Sequence, residues 1–155
     1  MIKANVITKN TSWYRYIKNP NSYIDRKINK LNKKNKKLKK KRIYFTLLLS
    51  GHKEIKNLNS KFRKKNKSTD VLSFPFYTKK ELNKRLIKEK EIYLGDIIIN
   101  FNEIKNKKKT KNFKIEFNNL WIHGLVHLFG YNHKKDKDFL AMKKIEKKYS
   151  SFIND

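Results

Sequence analysis

Residues Trp121 to His133 read W-I-H-G-L-V-H-L-F-G-Y-N-H and contain three of the four histidines in the chain. His123 and His127 are four residues apart, so on an α-helix both imidazoles project from nearly the same face. Gly130 follows where a helix C-terminus favours a residue that can take a positive φ, and the chain can then bring His133 back toward the pair. The pattern H-x-x-x-H-x-x-G-x-x-H therefore predicts a metal site.

The residue types of this site favour a zinc ion with catalytic chemistry. Three neutral imidazoles from His123, His127 and His133 leave the fourth tetrahedral position open for water or substrate. One Zn²⁺ ion there would lower the pKa of a bound water toward ~7. The alternative is a set of structural histidines on a buried helix, because apolar residues surround them. The spacing of all three around a glycine favours the metal site.

The same spacing occurs in zinc peptidases, which use a glutamate directly after the first histidine as general base. Gly124 occupies that position here. A peptidase-like zinc hydrolase remains an alternative, but it would lack its base.

Length and composition predict one domain over residues 1–155. The chain has no cysteine, so any metal must be held by nitrogen and oxygen ligands. There is no signal-peptide pattern at the N-terminus, and no apolar run approaches the ~20 residues of a membrane span. We therefore expect a soluble, cytoplasmic protein without a membrane partner.

The net charge of +28 would concentrate a polyanion such as nucleic acid at the surface. Lysine accounts for 36 of the 41 basic residues and arginine for only five, which indicates a compositional bias along the whole chain. The basic run from Lys30 to Arg42 is typical of a solvated helix end or loop, and a phosphate-contacting surface is the alternative. Charge alone thus permits RNA or DNA binding without specifying either.

Hydrophobic periodicity predicts an alternation of strands and helices. The predicted strands are Ile2–Thr8, Ile43–Leu49, Val71–Phe74 and Tyr93–Asn100, and the predicted helices cover about 22–31, a segment capped by Ser50, Phe113–Phe129 and a segment capped by Asp136 or Asp138. Asn102 is predicted to cap a further short helix. Residues 78–90 are charged and helix-prone, and they are expected to be a variable surface insertion. We expect a single small α+β domain with roughly four strands in one sheet, packed with helices on at least one face.

Three segments together resemble the YbeY family of bacterial endoribonucleases. They are L-N-S-K-F-R with S-T-D-V-L-S-F-P-F, then L-G-D-I-I-I, and finally H-G-L-V-H-L-F-G-Y-N-H, covering roughly Leu58 to His133. The resemblance implies a small α+β fold with a zincin-like metal site, in which His123, His127 and His133 bind one zinc ion. It also implies a functional role for Arg63, which matches the arginine of the F-R segment.

The activity that this resemblance implies is single-strand-specific, metal-dependent cleavage of RNA, acting in maturation of the 3′ end of 16S rRNA and in ribosome quality control. The implied partners are single-stranded RNA, ribosomal RNA and the ribosome, and DNA is not expected. His123 and Arg63 are the predicted catalytic residues, and Arg63 is also predicted to bind the substrate phosphate through its planar fork. A surface ion pair is the alternative role for Arg63. Asp70 and Asp96 are predicted either to orient the metal ligands or to cap turns.

The chain departs from the family pattern at Asn132, directly before the third histidine, and at Asn66, where the family usually has aspartate. An amide accepts a hydrogen bond but carries no charge and takes no proton at neutral pH. A remaining alternative function is a ribosome-associated binding protein with a structural zinc ion, which would need a closed fourth ligand.

Overall fold

Four strands form one mixed sheet in the computed structural model, which describes residues 1–154. They are β1 (Ile2–Thr8), β2 (Arg42–Ser50), β3 (Val71–Pro75) and β4 (Glu91–Asn100). The order across the sheet is β1-β2-β4-β3. β1, β2 and β4 are parallel, and β3 pairs antiparallel to β4 at the opposite edge from β1. The predicted four-stranded sheet is confirmed, with β1 at an edge.

Within residues 1–154, five α-helices accompany the sheet. They are α1 (Pro20–Lys34), α2 (His52–Arg63), α3 (Lys79–Lys88), α4 (Thr110–Leu128) and α5 (Asp136–Asn154). Short 3-10 helices cover Thr11–Arg15, Lys36–Leu38 and Phe101–Glu103. Among the described residues, no helix is both long and apolar enough to cross a membrane.

The central strands bury both of their faces, which explains their continuous apolar runs. Leu47 of β2 and Ile97 of β4 point into the main core, where α1, α4 and α5 pack. Leu48 and Ile98, the next residues along each strand, instead contact a second apolar cluster beneath α2. The domain is therefore a sheet with most helices on one face and α2 on the other, in agreement with the predicted α+β class.

α4 is the central helix, as predicted, and it lies against β3 and β4. Its close approach to the sheet depends on Gly124, which is buried. A Cβ atom at Gly124 would lie 2.7 Å from Cγ2 of Ile97, closer than real carbon contacts allow. The histidine-bearing end of α4 is thereby held at the edge of the sheet where β3 runs.

Two predicted caps are wrong, and for α2 a residue distant in sequence takes the role. Ser50 ends β2 instead of capping α2, and its hydroxyl donates to the carbonyl of Ile99 at 3.4 Å. The carboxamide oxygen of Asn102 accepts from the backbone N–H of His52 at 2.9 Å, so Asn102 caps α2 from across the fold. The 3-10 helix that follows β4 is capped by Asn100, whose side chain accepts from the N–H of Asn102.

The charged segment at 78–90 is an integrated helix. Thr78 and Glu81 form a capping box at the start of α3, each side chain accepting from the other's backbone N–H. Leu82 is only 1% exposed and joins the main core. The helix lies mostly at the surface, as expected, and the buried Leu82 anchors it to the main core.

Candidate metal centre and active-site cavity

The C-terminus of α4 turns sharply through a Schellman motif. The N–H of Gly130 donates to the carbonyl of His127 at 2.9 Å, and the N–H of Tyr131 donates to Val126 at 3.3 Å. Gly130 has φ +88°, and a Cβ atom there would lie 2.7 Å from Cβ of Lys79. Both the backbone conformation and the close approach of α3 therefore require glycine. The turn carries the chain back toward α4 and places His133 beside the helix.

The three imidazoles converge on one point. The Nε2 atoms of His123 and His127 are 3.1 Å apart, and one ring nitrogen from each of His123, His127 and His133 lies within 4.8 Å of the others. Ligands at about 2.0–2.1 Å from a tetrahedral zinc ion are separated by ~3.4 Å. The cluster is thus close to the spacing that one ion would need, and it can hold a metal ion.

Hydrogen bonds to the opposite ring nitrogens set the tautomers of the first two histidines. Nδ1 of His127 lies 2.9 Å from the carbonyl oxygen of Tyr131, which can only accept, so this nitrogen carries the proton. Nδ1 of His123 lies 2.5 Å from Oε1 of Glu146, an acceptor when ionised. Both Nε2 atoms consequently present lone pairs to each other. Two facing lone pairs repel unless a proton or cation lies between them, so the donor set fits a metal ion.

The environment of His127 favours its neutral form, which is the form that binds metal. Burial lowers the pKa of His127, and the nearby His123 lowers it further. A depressed pKa keeps the imidazole neutral at neutral pH, which is the form that binds metal.

Arg63, at the end of α2, lines the same cavity as the three histidines. This cavity has a volume of about 550 Å³. One guanidinium nitrogen of Arg63 donates to the carbonyl of Ser73 at 3.0 Å, and the group lies 5.7 Å from the ring centre of Phe74. These contacts hold Arg63 against β3, using one of its five N–H groups. The structure thus brings together the arginine and the histidines, which are about sixty residues apart in sequence.

The two candidate aspartates have different locations. Asp70 lines the histidine cavity, and its carboxylate accepts from the N–H of Val71 at 2.8 Å, which caps the start of β3. Asp96 accepts from the hydroxyl of Tyr93. It lies on the face of β4 opposite Ile97, the residue that packs on α4, so it cannot orient the histidines. The prediction of a ligand-orienting role is therefore wrong for Asp96.

Asn132 also lines the histidine cavity, and its carboxamide oxygen accepts from the N–H of Lys134 at 3.3 Å. This bond spans two residues and is typical of an Asx-turn, which shapes the backbone around His133. Asn66 is exposed in the loop after α2, and it is not among the residues that line the cavity.

The packing of Gly124 also bears on the peptidase alternative. A general-base glutamate would have to project from this position toward the metal. Gly124 instead faces Ile97 of the sheet, where even a Cβ atom would clash at 2.7 Å. The fold therefore has no room for that glutamate.

Glu146 is not predicted as a site residue from the sequence, although its carboxylate contacts His123, a predicted metal ligand. Its side chain is 14% exposed, and it also pairs with Lys143 at 3.2 Å. Glu146 is the only acidic residue between Asp138 and Asp155, in an otherwise basic helix. Its position beside the apolar stripe of α5 was the available signal.

Comparison with known proteins gives a consistent result. The family model described as endoribonuclease YbeY matches residues 8–154. The chain is 42% identical to an endoribonuclease YbeY from Pelagibacter ubique, covering 99% of this chain and 97% of that protein. It is 35% identical to an endoribonuclease YbeY from Ehrlichia canis, covering 94% of this chain and 88% of the relative.

A solution structure of a protein from Thermotoga maritima superposes with a TM-score of 0.59 at 26% identity, covering 99% of this chain and 89% of the other. The residues that the family model matches therefore include the cavity that the three histidines and Arg63 line. The chain belongs to the endoribonuclease YbeY family.

Proposed function

We propose that this protein is a zinc-dependent, single-strand-specific endoribonuclease that acts in maturation of the 3′ end of 16S rRNA and in ribosome quality control. The observation that carries the proposal is the single cavity that contains both the three histidines and Arg63. A cluster that could hold a metal ion, in the same cavity as a guanidinium group, suits a phosphodiester, whose negative charge the ion and the guanidinium could both neutralise.

In this proposal His123, His127 and His133 hold one zinc ion, and all 155 residues form one catalytic domain. When bound, the ion supplies Lewis-acid polarisation and makes a water molecule more acidic. His123 would contribute to catalysis as one of the ligands that hold the ion beside the reacting phosphate. Glu146 and the carbonyl of Tyr131 keep the Nδ1 protons in place, so the Nε2 atoms of His123 and His127 remain available as ligands.

Arg63 binds and orients the substrate. Its guanidinium is anchored on the carbonyl of Ser73, and the other N–H groups can hold a nonbridging oxygen of the scissile phosphate in a bidentate contact. The anchor limits the movement of the side chain, so little conformational entropy is lost when the phosphate binds.

The partners that follow are single-stranded RNA, ribosomal RNA and the ribosome, with no role in DNA cleavage or at a membrane. A net charge of +28 would attract a ribosomal particle rich in phosphate and hold the enzyme near it. We propose a cytoplasmic location, where ribosomal precursors are processed.

The direct test combines cleavage with metal analysis. Purified protein is incubated with one RNA sequence in single-stranded and duplex form, with and without a chelator that is afterwards titrated with zinc. We expect cleavage of the single strand only, loss of activity in chelator, and recovery with one equivalent of zinc. Equal cleavage of both forms, or full activity in a protein shown to be zinc-free, would contradict the proposal.

The ribosomal part needs a cellular test. A strain that relies on a His127→Ala copy is compared with one that relies on a His52→Ala copy. We expect 16S rRNA with an extended 3′ end in the first strain only. Mature 3′ ends in both strains would remove the assignment to 16S maturation, while leaving the nuclease activity in place.

A further inference from the structure

Two cavities follow each other along α4, starting at the histidine site, and we call them together the groove. The nearer cavity lies between α4, α5 and β3, and the farther one lies between α4, α1 and the end of α5. α4 and α5 are antiparallel, because His123 contacts Glu146 and Asn118 contacts Asn154 at 3.4 Å. From His123 to Lys111 the groove follows twelve residues of α4, or about 18 Å at 1.5 Å per residue.

Both helices contribute residues to the lining of this groove. Those on α4 include Lys111, Lys114, Asn118, Asn119, Ile122 and His123. Those on α5 are Lys143, Glu146, Lys147, Ser150 and Asn154. Both sets follow the spacing of three and four residues that keeps side chains on one helical face. Lysines and amides therefore border the groove on both sides.

The groove is continuous with the candidate active site. Its nearer part is a cavity of about 440 Å³, which shares Asp70, Val71 and His123 with the cavity that contains Arg63. The half-buried Val71 and Leu120 supply apolar surface there, and Lys147 supplies positive charge, whereas Lys143 is paired with Glu146 at 3.2 Å. An apolar floor with a cationic edge at Lys147 suits a nucleotide strand, whose bases and sugars pack while a phosphate faces the lysine.

The far end of the groove has excess positive charge. Lys111 and Lys114 line a second cavity of about 510 Å³ together with Lys27. Burial lowers the pKa of Lys27, and the charges of Lys30, Arg26 and Lys114 lower it further. Like charges held together at a surface repel one another, and a bound phosphate would relieve that repulsion.

We propose that the groove along α4 binds the RNA strand on one side of the scissile phosphate, with Lys147 near the histidines and Lys111 at the far end as phosphate contacts. This inference rests on the proposed nuclease function and specifies how the substrate lies. At a rise of about 3.4 Å per nucleotide in a stacked strand, the groove accommodates at most about five nucleotides. Longer single strands therefore gain affinity from contacts outside the reacting centre.

A lysine-rich surface attracts RNA everywhere, so the test compares groove lysines with lysines outside the groove. The groove variant is Lys111→Gln with Lys147→Gln, and the control variant is Lys144→Gln with Lys148→Gln. Lys144 and Lys148 are exposed on α5, and neither is among the residues that line the two cavities of the groove. Both variants remove two positive charges. Binding is measured in proteins that also carry His127→Ala, so that RNA is held without being cut.

We expect the groove variant to bind a single-stranded RNA about tenfold more weakly. The slope of its salt dependence should fall by about 1.4, because each of the two phosphates that is no longer neutralised accounts for ~0.7. The control variant should change affinity less than about twofold. Equally weakened binding in the two variants would overturn the proposal that RNA binds in the groove and would indicate non-specific electrostatic attraction to the whole surface.

A second measurement uses the zinc-loaded protein with His127 intact. The kcat/KM of each lysine variant is determined on RNAs shortened stepwise from either end. We expect the difference between groove and control variants to disappear when the strand on one side no longer reaches the groove. A difference that is independent of length would overturn the proposal.

The outcomes also separate this inference from the proposed function. If the unsubstituted protein binds no single-stranded RNA, both fail. If binding depends on the groove lysines but no cleavage occurs with zinc, the groove stands and the nuclease assignment fails.

Discussion

Nδ1 of His123 lies 2.5 Å from Oε1 of Glu146, and this contact joins α4 to α5 at the metal-binding cluster. The carboxylate holds the Nδ1 proton and directs Nε2 toward His127, the arrangement found around many protein-bound metals. It also links the metal site to the helix that forms one side of the proposed RNA groove.

Replacing Glu146 with glutamine should therefore weaken zinc binding. The amide can still accept from Nδ1, but the negative charge that increases the basicity of the imidazole is removed. We expect about a 10- to 100-fold lower zinc affinity, measured by competition with a chromogenic chelator. Glu116→Gln serves as control, because Glu116 lies about two turns away from the histidines on α4 and contacts the loop at Lys105. An unchanged zinc affinity in Glu146→Gln would show that the negative charge of Glu146 does not contribute to metal binding.

The ligand assignment is tested by His127→Ala. We expect stoichiometric zinc to be lost, because two remaining imidazoles leave the ion weakly held. Elemental analysis of the purified protein measures the zinc content. The matched control is His52→Ala, since His52 is the exposed fourth histidine at the start of α2 and should not affect the bound zinc. One zinc per chain in His127→Ala would refute the three-histidine site.

Arg63→Lys keeps the positive charge but removes the planar fork. We expect kcat to fall by about 100-fold, the scale of removing an oriented donor at a developing charge, while RNA affinity falls much less. Single-turnover cleavage and filter binding measure the two effects. Arg85→Lys is the control, because Arg85 pairs with Glu89 on α3 outside the cavity. Weaker binding with an unchanged cleavage rate would make Arg63 a general electrostatic contact.

Asn132→Asp tests what the departure from the family pattern changes. The carboxamide oxygen of Asn132 accepts from the N–H of Lys134, and a carboxylate can do the same. If the residue only shapes the turn, the pH–rate profile should stay nearly unmoved. A clear upward shift of the midpoint of the basic limb, or a large gain in rate, would show that negative charge near the ion matters.

Glu116 should make folding stability depend on acidity. Burial on its own would raise the pKa of this carboxyl, but hydrogen bonds from the backbone N–H groups of Lys105 and Asn106 lower it below the usual 4.5. A depressed pKa means that the stabilisation is fully present above pH 4.5 and is lost as the pH falls through the folded-state pKa.

We therefore expect acid titration of the unfolding free energy to show a decrease below pH 4.5 that is smaller in Glu116→Gln. Because the carboxylate is partly exposed, solvent screening limits the difference between the proteins at neutral pH to about 1 kcal/mol. Denaturant unfolding at a series of pH values measures it. Parallel curves for the two proteins would assign the acid sensitivity to other carboxyls.

Local geometry explains what the sequence predicted well. The four-residue spacing of His123 and His127 places them on one face of any α-helix, and Gly130 has the positive φ that the end of that helix requires. The central strands β2 and β4 were recognisable because their apolar runs are buried on both faces. Each of these features depends on the backbone conformation of neighbouring residues, so a short stretch of chain is sufficient to indicate it.

The sequence by itself determined the strands, the histidine-bearing helix and which three histidines form the candidate metal site. Only the tertiary structure decided that Glu146 orients His123, that Arg63 enters the histidine cavity, that Asp96 faces away from it, and that Asn102 caps α2. These contacts join residues far apart along the chain, and they exist because the sheet order and the packing of α4 on Ile97 bring their elements together. The physical reason is that hydrogen-bond geometry within a helix or turn is local, whereas the position of one element against another depends on the burial of the whole core.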